Sequence, residues 1–147
     1  MIIKNYIQFI KESIDYSELI QDIKDILLEL EDDYFNINII EHPHIIIVNI
    51  DNKIHSNVTE DDGEVYDYVR SGNKFISSDN IHIIEQCVDY LKDNLKPLGK
   101  NILNDLDVYF ETSHNKSLSY SYPRFIHSVK NGMNVKNIKF SFIKNDN

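Results

Sequence analysis

Residues 16–50 read YSELIQDIKDILLELEDDYFNINIIEHPHIIIVNI, and within this stretch the spacing of apolar residues changes from that of a helix to that of strands. Over residues 16–31 the apolar positions recur with a period of about 3.6, which predicts an amphipathic helix with Asp15 as its N-cap. Residues 35–39 alternate apolar side chains with asparagine, which predicts a half-buried strand. Residues 45–50 are apolar enough for a strand in the interior of a sheet.

The second half of the chain repeats this order. A second amphipathic helix is predicted from Ser78 or Asp79 to the residue before Pro97. Alternation then predicts strands over residues 106–111 and 118–122, and a last strand carries Ile138, Phe140 and Phe142. Helices on one face of an antiparallel sheet are the natural packing for this order. The sequence therefore predicts an α+β fold, with two amphipathic helices on one face of a mainly antiparallel sheet, and suggests an α-β-β duplication.

Between the two halves lies a segment, residues 51–78, whose pattern is less regular. Asp62-Gly63 is a hairpin signal between residues 57–59 and residues 65–69. The turn carries four carboxylates, here called the acidic cluster: Glu60, Asp61, Asp62 and Glu64. We predict a protruding hairpin, and the alternative is a solvated loop that only keeps the protein soluble.

Length and composition point to one folded domain. A chain of 147 residues, 41% of them hydrophobic, can bury a core, and this composition excludes general disorder. We expect a single α+β domain over residues 15–147, preceded by a separate N-terminal helical segment, residues 1–14. Alanine and tryptophan are absent, whereas isoleucine, asparagine and lysine are abundant, as expected from an AT-rich genome such as that of a virus.

The net charge of −9 limits the classes of partner. Nucleic acids and anionic membrane surfaces are bound largely through Lys and Arg, so we expect neither as a partner. No apolar run reaches the roughly 18 residues of a membrane span. The single Cys87 cannot form an intramolecular disulfide, which fits a host cytoplasm or the interior of a virion.

The N-terminal residues contain a short motif, K-x-Y-x-x-F-I-x-E, formed by Lys4, Tyr6, Phe9, Ile10 and Glu12. This motif resembles the capsid-targeting leader of the internal head proteins of T-even-type tailed phages. The resemblance implies delivery into the prohead and cleavage after Glu12 by a prohead protease that reads an apolar-x-Glu triplet. The DNA-associated members of that family are basic, so the resemblance does not extend to DNA packing in this acidic chain.

The same N-terminal residues have a purely structural interpretation. Asn5 can cap a short helix, with Gln8 at the third helical position. Tyr6, Phe9 and Ile10 would then form one apolar face that docks on the core. The leader and the docking helix are compatible, and both stay open at this point.

No pattern in the chain names a catalytic, cofactor or metal site. His42 and His44 flank Pro43, but a lone H-x-H is a weak metal signal and no partner ligands lie at a characteristic spacing. Cys87 is expected to be a buried apolar residue rather than a nucleophile. Glycine-rich phosphate loops, nucleophile elbows and H-E-x-x-H are also absent from the sequence.

Three functions follow as hypotheses. The first is a phage-encoded, non-enzymatic internal head or host-interaction protein that binds a basic host or phage protein through the acidic cluster, helped by Glu31, Asp32 and Asp33. The second is an acidic cytoplasmic inhibitor or adaptor without leader function. The third is a small enzyme, for which the sequence offers no supporting motif. Tyr66, Tyr68, Tyr109, Tyr120 and Tyr122 suit an interaction surface, although tyrosine is also ordinary on sheet faces.

Overall fold

The computed structural model describes residues 15–71, 74–100 and 106–144. The predicted leader residues Lys4, Tyr6, Phe9, Ile10 and Glu12 lie outside this described part. The elements are α1 (Tyr16–Ile26), α2 (Leu28–Asp32), β1 (Asn36–Glu41), β2 (Ile45–Asp51), β3 (Lys53–Thr59), β4 (Val65–Ser71), α3 (Ile81–Asn94), β5 (Lys96–Pro97), β6 (Asp107–Thr112), β7 (Ser117–Ser121), α4 (Tyr122–Lys130) and β8 (Val135–Ile143).

The strands of the described residues form two sheets, and every strand pair in them is antiparallel. The main sheet has the order β1-β2-β8-β6-β7, and the short strand β5 also pairs with β8. Strands β3 and β4 pair with each other as a separate two-stranded sheet. The last strand of the chain therefore lies at the centre of the main sheet, between hairpins from the two halves.

One face of the main sheet forms the core with the helices. Val48 of β2 lies opposite Phe140 of β8, and Phe110 of β6 lies opposite Ile138 on the same face. These side chains pack with the buried stripes of α1, α3 and α4 in one apolar cluster. Full burial of such a side chain contributes about 1.5–3 kcal/mol. The predicted α+β fold, with helices on one face of an antiparallel sheet, is confirmed.

The first helix is interrupted where the sequence predicts a continuous one. α1 ends at Ile26, and a single non-helical residue, Leu27, precedes α2. Leu27 and Leu30 remain fully buried, so the apolar stripe continues across the break. The predicted cap is confirmed, because the Asp15 carboxylate accepts hydrogen bonds from the backbone N–H groups of the first turn of α1.

The structure adds a helix, α4, that the sequence analysis does not predict. The sequence predicts Tyr122 in a strand, but β7 ends at Ser121 and Tyr122 begins α4. The strand therefore ends before Pro123, and Pro123 lies in the first turn of α4, where a proline loses no helical hydrogen bond. Phe125 and Val129 bury the inner face of α4. The sequence predicts two amphipathic helices for this core, and α4 is an additional one.

The suggested α-β-β duplication holds for the order of elements but not for their places in the sheet. Each half has a helix followed by an antiparallel strand pair, β1-β2 and β6-β7. In the first half the second strand, β2, lies next to β8, whereas in the second half the first strand, β6, does so. Equivalent strands of a symmetric duplication would occupy equivalent places, so the two halves are not symmetry-related.

Candidate functional site: an acidic hairpin

The β3–β4 hairpin extends from the main sheet as a continuation of β2. A single residue, Asn52, separates β2 from β3, and Asn52 is buried. Its backbone N–H donates to the carbonyl of Lys136 at 3.0 Å, and its side-chain amide donates to the carbonyl of Lys74 at 3.1 Å. Lys74 follows β4 and forms an ion pair with Asp33 at 2.8 Å. The start and the end of the hairpin are thus tied together at its base.

The acidic cluster forms the turn at the other end of the hairpin. The register runs from Lys53 opposite Ser71 to Thr59 opposite Val65. The backbone N–H of Glu60 donates to the carbonyl of Glu64 at 3.0 Å, and Gly63 takes a φ of +82°, which glycine adopts without the steric cost of a side chain. The hairpin predicted from Asp62-Gly63 is confirmed.

Two tyrosines of β4 hold carboxylates of the acidic cluster. The Tyr66 hydroxyl donates to Asp62 Oδ2 at 2.7 Å, and the Tyr68 hydroxyl donates to Glu60 Oε1. The other Asp62 oxygen, Oδ1, accepts the backbone N–H of Glu64 at 2.9 Å. Two of the four carboxylates therefore have fixed positions, while all four side chains of the cluster remain exposed.

These hydrogen bonds shift the pKa values of Asp62, Tyr66 and Tyr68. The Glu64 backbone N–H, and after it the Tyr66 hydroxyl, hold the pKa of the Asp62 carboxyl below its ordinary value of 3.8. The Asp62 carboxylate raises the pKa of Tyr66 above 10.0, and the Glu60 carboxylate does the same for Tyr68. At neutral pH the Tyr66–Asp62 pair therefore consists of a neutral phenol and a charged carboxylate, and Tyr68 is also a neutral phenol.

The tyrosine rings form an exposed surface on one face of the hairpin. Tyr66 and Tyr68 are 42% and 49% exposed, and their ring centroids are 6.4 Å apart. Val58 lies opposite Tyr66 on the same face and is also exposed. We call these three residues the tyrosine face. It borders the acidic cluster, so an aromatic surface and a negative charge lie side by side.

The sequence indicated the residues of this surface but not the contacts between them. Tyr66 and Tyr68 were candidates for an interaction surface, and the acidic cluster was a candidate for partner binding, but nothing connected the two sets. Their connection depends on the hairpin register, which places Tyr68 close to a carboxylate eight positions earlier. Of the other acidic residues expected to help, Glu31 and Asp32 are exposed, and Asp33 is paired with Lys74 at the base of the hairpin.

The remaining sequence candidates do not form a reactive site in the described part of the chain. His42 and His44 are exposed in the turn between β1 and β2. Within the described residues, no three His, Cys, Asp or Glu side chains are grouped to hold a metal ion. Cys87 is fully buried, and its burial raises the pKa of the thiol to about 12. At neutral pH Cys87 is therefore a neutral thiol, as predicted from its helical position.

Comparisons with known proteins returned no relative. No protein-family model, curated protein or solved structure matches the chain. Among the helices of the described residues, none has both the length and the hydropathy needed to cross a membrane.

Proposed function

We propose that this chain is a non-enzymatic binding protein that docks its β3–β4 hairpin on a basic surface of another protein. The observation that carries the proposal is the pairing of an exposed tyrosine face with an acidic cluster whose carboxylates accept the tyrosine hydroxyls. Tyrosine is enriched in protein interfaces, because its ring supplies contact area and its hydroxyl a hydrogen bond.

The hydrogen bonds favour binding by reducing its entropic cost. The Tyr66 and Tyr68 hydroxyls hold the carboxylates of Asp62 and Glu60 before any partner arrives. A preorganised surface loses less conformational freedom on association than a mobile one. Each carboxylate has about four acceptor positions, so a Lys or Arg of the partner can still bind oxygens that already accept one hydrogen bond.

The charge of the hairpin selects the class of partner. A cluster of carboxylates in a chain of net charge −9 repels phosphates and attracts Lys-rich and Arg-rich surfaces. We therefore propose a basic host or phage protein as the partner, and neither nucleic acid nor membrane. Electrostatic attraction of this kind acts mainly on the association rate.

We further propose that the chain acts inside a phage particle or in the cytoplasm of the infected host. This placement is supported only by the resemblance of Lys4, Tyr6, Phe9, Ile10 and Glu12 to the capsid-targeting leader. Without leader function, the same hairpin would serve a cytoplasmic inhibitor or adaptor. Within the described residues, no three His, Cys, Asp or Glu side chains are grouped to hold a metal ion, and the buried Cys87 thiol is neutral, so neither observation supports the alternative of an enzyme.

The test is capture of a partner from a bacterial lysate, followed by kinetics with the purified partner. The first variant, Glu60→Gln/Asp61→Asn/Asp62→Asn/Glu64→Gln, removes the charge and keeps the size of the side chains. We expect its association rate at low salt to fall by about tenfold or more, and the rate of the wild type to fall with added salt. A second variant, Tyr66→Ala/Tyr68→Ala, should raise the dissociation rate because it removes contact area.

The matched control removes four exposed carboxylates elsewhere: Glu29→Gln/Asp79→Asn/Asp89→Asn/Asp93→Asn. This control has the same net charge as the first variant, so it should retain most of the association rate if the position of the charge matters. Equal losses in both variants would mean that only total charge acts. A partner bound equally by wild type and both hairpin variants, or tight binding of duplex DNA, would overturn the proposal.

A further inference from the structure

The main sheet has a second face, opposite the helices, and polar side chains cover its middle. The residues there alternate along each strand with the core residues, so they point away from the core. Register pairs place five of them in one row across all five long strands: Asn38, Asn49, Lys139, Tyr109 and Ser119. We call this the polar row. The polar row thus presents amides, hydroxyls, an ammonium group and one aromatic ring in line.

The polar row lies in a depression. A groove of about 570 Å³ lies over Asn49, Lys139 and Tyr109, and it extends to Asp51 and Asn137 in the neighbouring row. A smaller depression of about 250 Å³ begins on the other side of Tyr109 and is lined by Leu98 and Ser141, among others. Tyr109 lines both depressions and is 45% exposed. An extended ligand can therefore cross the tyrosine ring and contact both sides of it.

The polar groups at the centre of the groove differ from their neighbours in their bonding. The Asn137 amide donates to Glu111 at 3.2 Å, and Asp51 accepts the backbone N–H of Lys53 at 2.9 Å. By contrast, the structure gives no hydrogen bond or ion pair within the described residues for the side chains of Asn49, Lys139 or Tyr109. These groups meet solvent and are available to a ligand.

The charge of the groove is close to balanced, although the chain is strongly acidic. Lys53 and Lys139 line it together with Asp51, against a net charge of −9 for the whole protein. Polyanions need several cations, so this groove does not suit nucleic acid. A protein interface of ordinary size has an apolar centre, whereas seven of the ten residues that line this groove are polar or charged and the other three are Tyr109, Phe110 and Leu118. The groove fits a ligand rich in hydroxyl groups with at most a small negative charge.

We propose that the groove on the sheet face opposite the helices binds an oligosaccharide, with Tyr109 as the ring on which one sugar stacks. Sugars combine hydroxyl groups with apolar C–H faces, so they need hydrogen-bonding side chains beside an exposed aromatic ring. Within the polar row, Asn49 and Ser119 supply donors and acceptors on the two sides of Lys139 and Tyr109, and the Lys139 ammonium binds a hydroxyl or a single carboxylate. The groove shares Lys53 with the base of the hairpin, but neither the acidic cluster nor the tyrosine face lines it.

The test is to titrate the full chain with two groups of saccharide probes and to monitor its amide resonances in ¹H–¹⁵N spectra. The first group consists of neutral hexasaccharides of glucose and of N-acetylglucosamine, in both β1-4 and α1-4 linkage for glucose. The second is an oligogalacturonate, which carries carboxylates. We expect saturable shifts at residues 49, 109 and 139 with at least one probe. Binding of the neutral or the acidic probes identifies which saccharide the site takes, and either supports the proposal.

Substitutions locate the site. Tyr109→Ala should weaken binding by about tenfold or more, because it removes the stacking surface, and Asn49→Ala by about two- to tenfold, because it removes hydrogen bonds. Tyr109→Leu keeps an apolar strand residue without the ring and should lose affinity similarly. Lys139→Gln should weaken the acidic probe more than the neutral ones.

The matched control is Tyr68→Ala, which removes a similarly exposed tyrosine from the hairpin (49%, against 45% for Tyr109) and should leave saccharide binding unchanged. The proposal is overturned if no probe shifts the groove resonances, if the shifts map to another surface, or if folded Tyr109→Ala and Tyr109→Leu variants bind like wild type. Loss of protein binding in the hairpin variants with intact saccharide binding would separate the two proposals.

Discussion

The hydroxyl group of Tyr66 donates a 2.7 Å hydrogen bond to the carboxylate of Asp62 across the turn of the β3–β4 hairpin. Asp62 also accepts the backbone N–H of Glu64, so one side chain joins the turn to the tyrosine face. Both side chains are exposed to solvent, so the geometry of the hairpin tip depends on hydrogen bonds that a change of pH can break.

The first prediction concerns the pH range over which the tip is ordered. The pKa of Asp62 is lowered in the folded chain, so its stabilisation is present above the ordinary value of 3.8 and is lost as the pH falls through the lowered pKa. The pKa values of Tyr66 and Tyr68 are raised, so their stabilisation is present below 10.0 and is lost as the pH rises through the raised values. The Glu64 amide resonance should report the acidic transition.

Two variants serve as controls for the pH titration. Tyr66→Phe removes the hydroxyl, so the Asp62 midpoint should move up toward 3.8 while the Glu64 N–H bond keeps part of the shift. Asp62→Asn should abolish the acidic transition of the Glu64 amide. A wild-type midpoint at or above 3.8 would contradict the hydrogen-bonded arrangement of the turn.

The second prediction concerns the core. Ile23 of α1 and Leu91 of α3 are fully buried, so Ile23→Ala and Leu91→Ala should each reduce the free energy of unfolding by about 2–5 kcal/mol. Leu28→Ala is the control, because Leu28 is 52% exposed and its loss should change stability by only about 0.5 kcal/mol. Urea unfolding measures all three. Equal stability of the three variants would mean that these helix faces are wrongly assigned.

The third prediction concerns Tyr34, whose φ of +70° is a left-handed conformation after α2. Its backbone N–H donates to Glu31, and the next N–H, of Phe35, donates to Leu30, so the turn requires this conformation. Tyr34→Gly should stabilise the protein by about 0.5–1 kcal/mol, since glycine avoids the steric cost. Tyr34→Ala retains a Cβ and should bring no such gain. Equal unfolding free energies for the two variants would contradict this explanation.

The fourth prediction concerns the N-terminal residues. If Glu12 is the cleavage site of a capsid-targeting leader, Glu12→Ala should leave a full-length chain in purified particles, whereas wild type begins at Ser13. Glu18→Ala, a carboxylate change within α1, should leave processing intact. Deletion of residues 1–12 should also leave the melting temperature unchanged, because a leader must be dispensable after cleavage. A large fall in melting temperature on deletion would support the docking helix instead.

Local features of the fold could be predicted from the sequence, because they depend on residues that are close together in the chain. The apolar periods of residues 16–31 and 79–96 indicate which faces are buried, and Asp62-Gly63 can form its turn with few other contacts. The helix α4 was missed because its signal is short and begins in a strand pattern, where Tyr120 and Tyr122 share the same spacing. This segment is stabilised as a helix by the burial of Phe125 and Val129 in the core, which only the tertiary structure shows.

The sequence by itself determined the α+β class, the buried stripes of two helices, the position of Cys87 and the hairpin that carries the acidic cluster. Tertiary structure alone decided that β8 lies at the centre of the sheet, because strand order depends on pairing between residues distant in the chain. It also decided which hydroxyl binds which carboxylate in the hairpin, and it brought Asn49, Tyr109 and Lys139 into one row. Alternation along a strand indicates which face of the sheet a side chain occupies, but only the register between strands determines which side chains lie beside it.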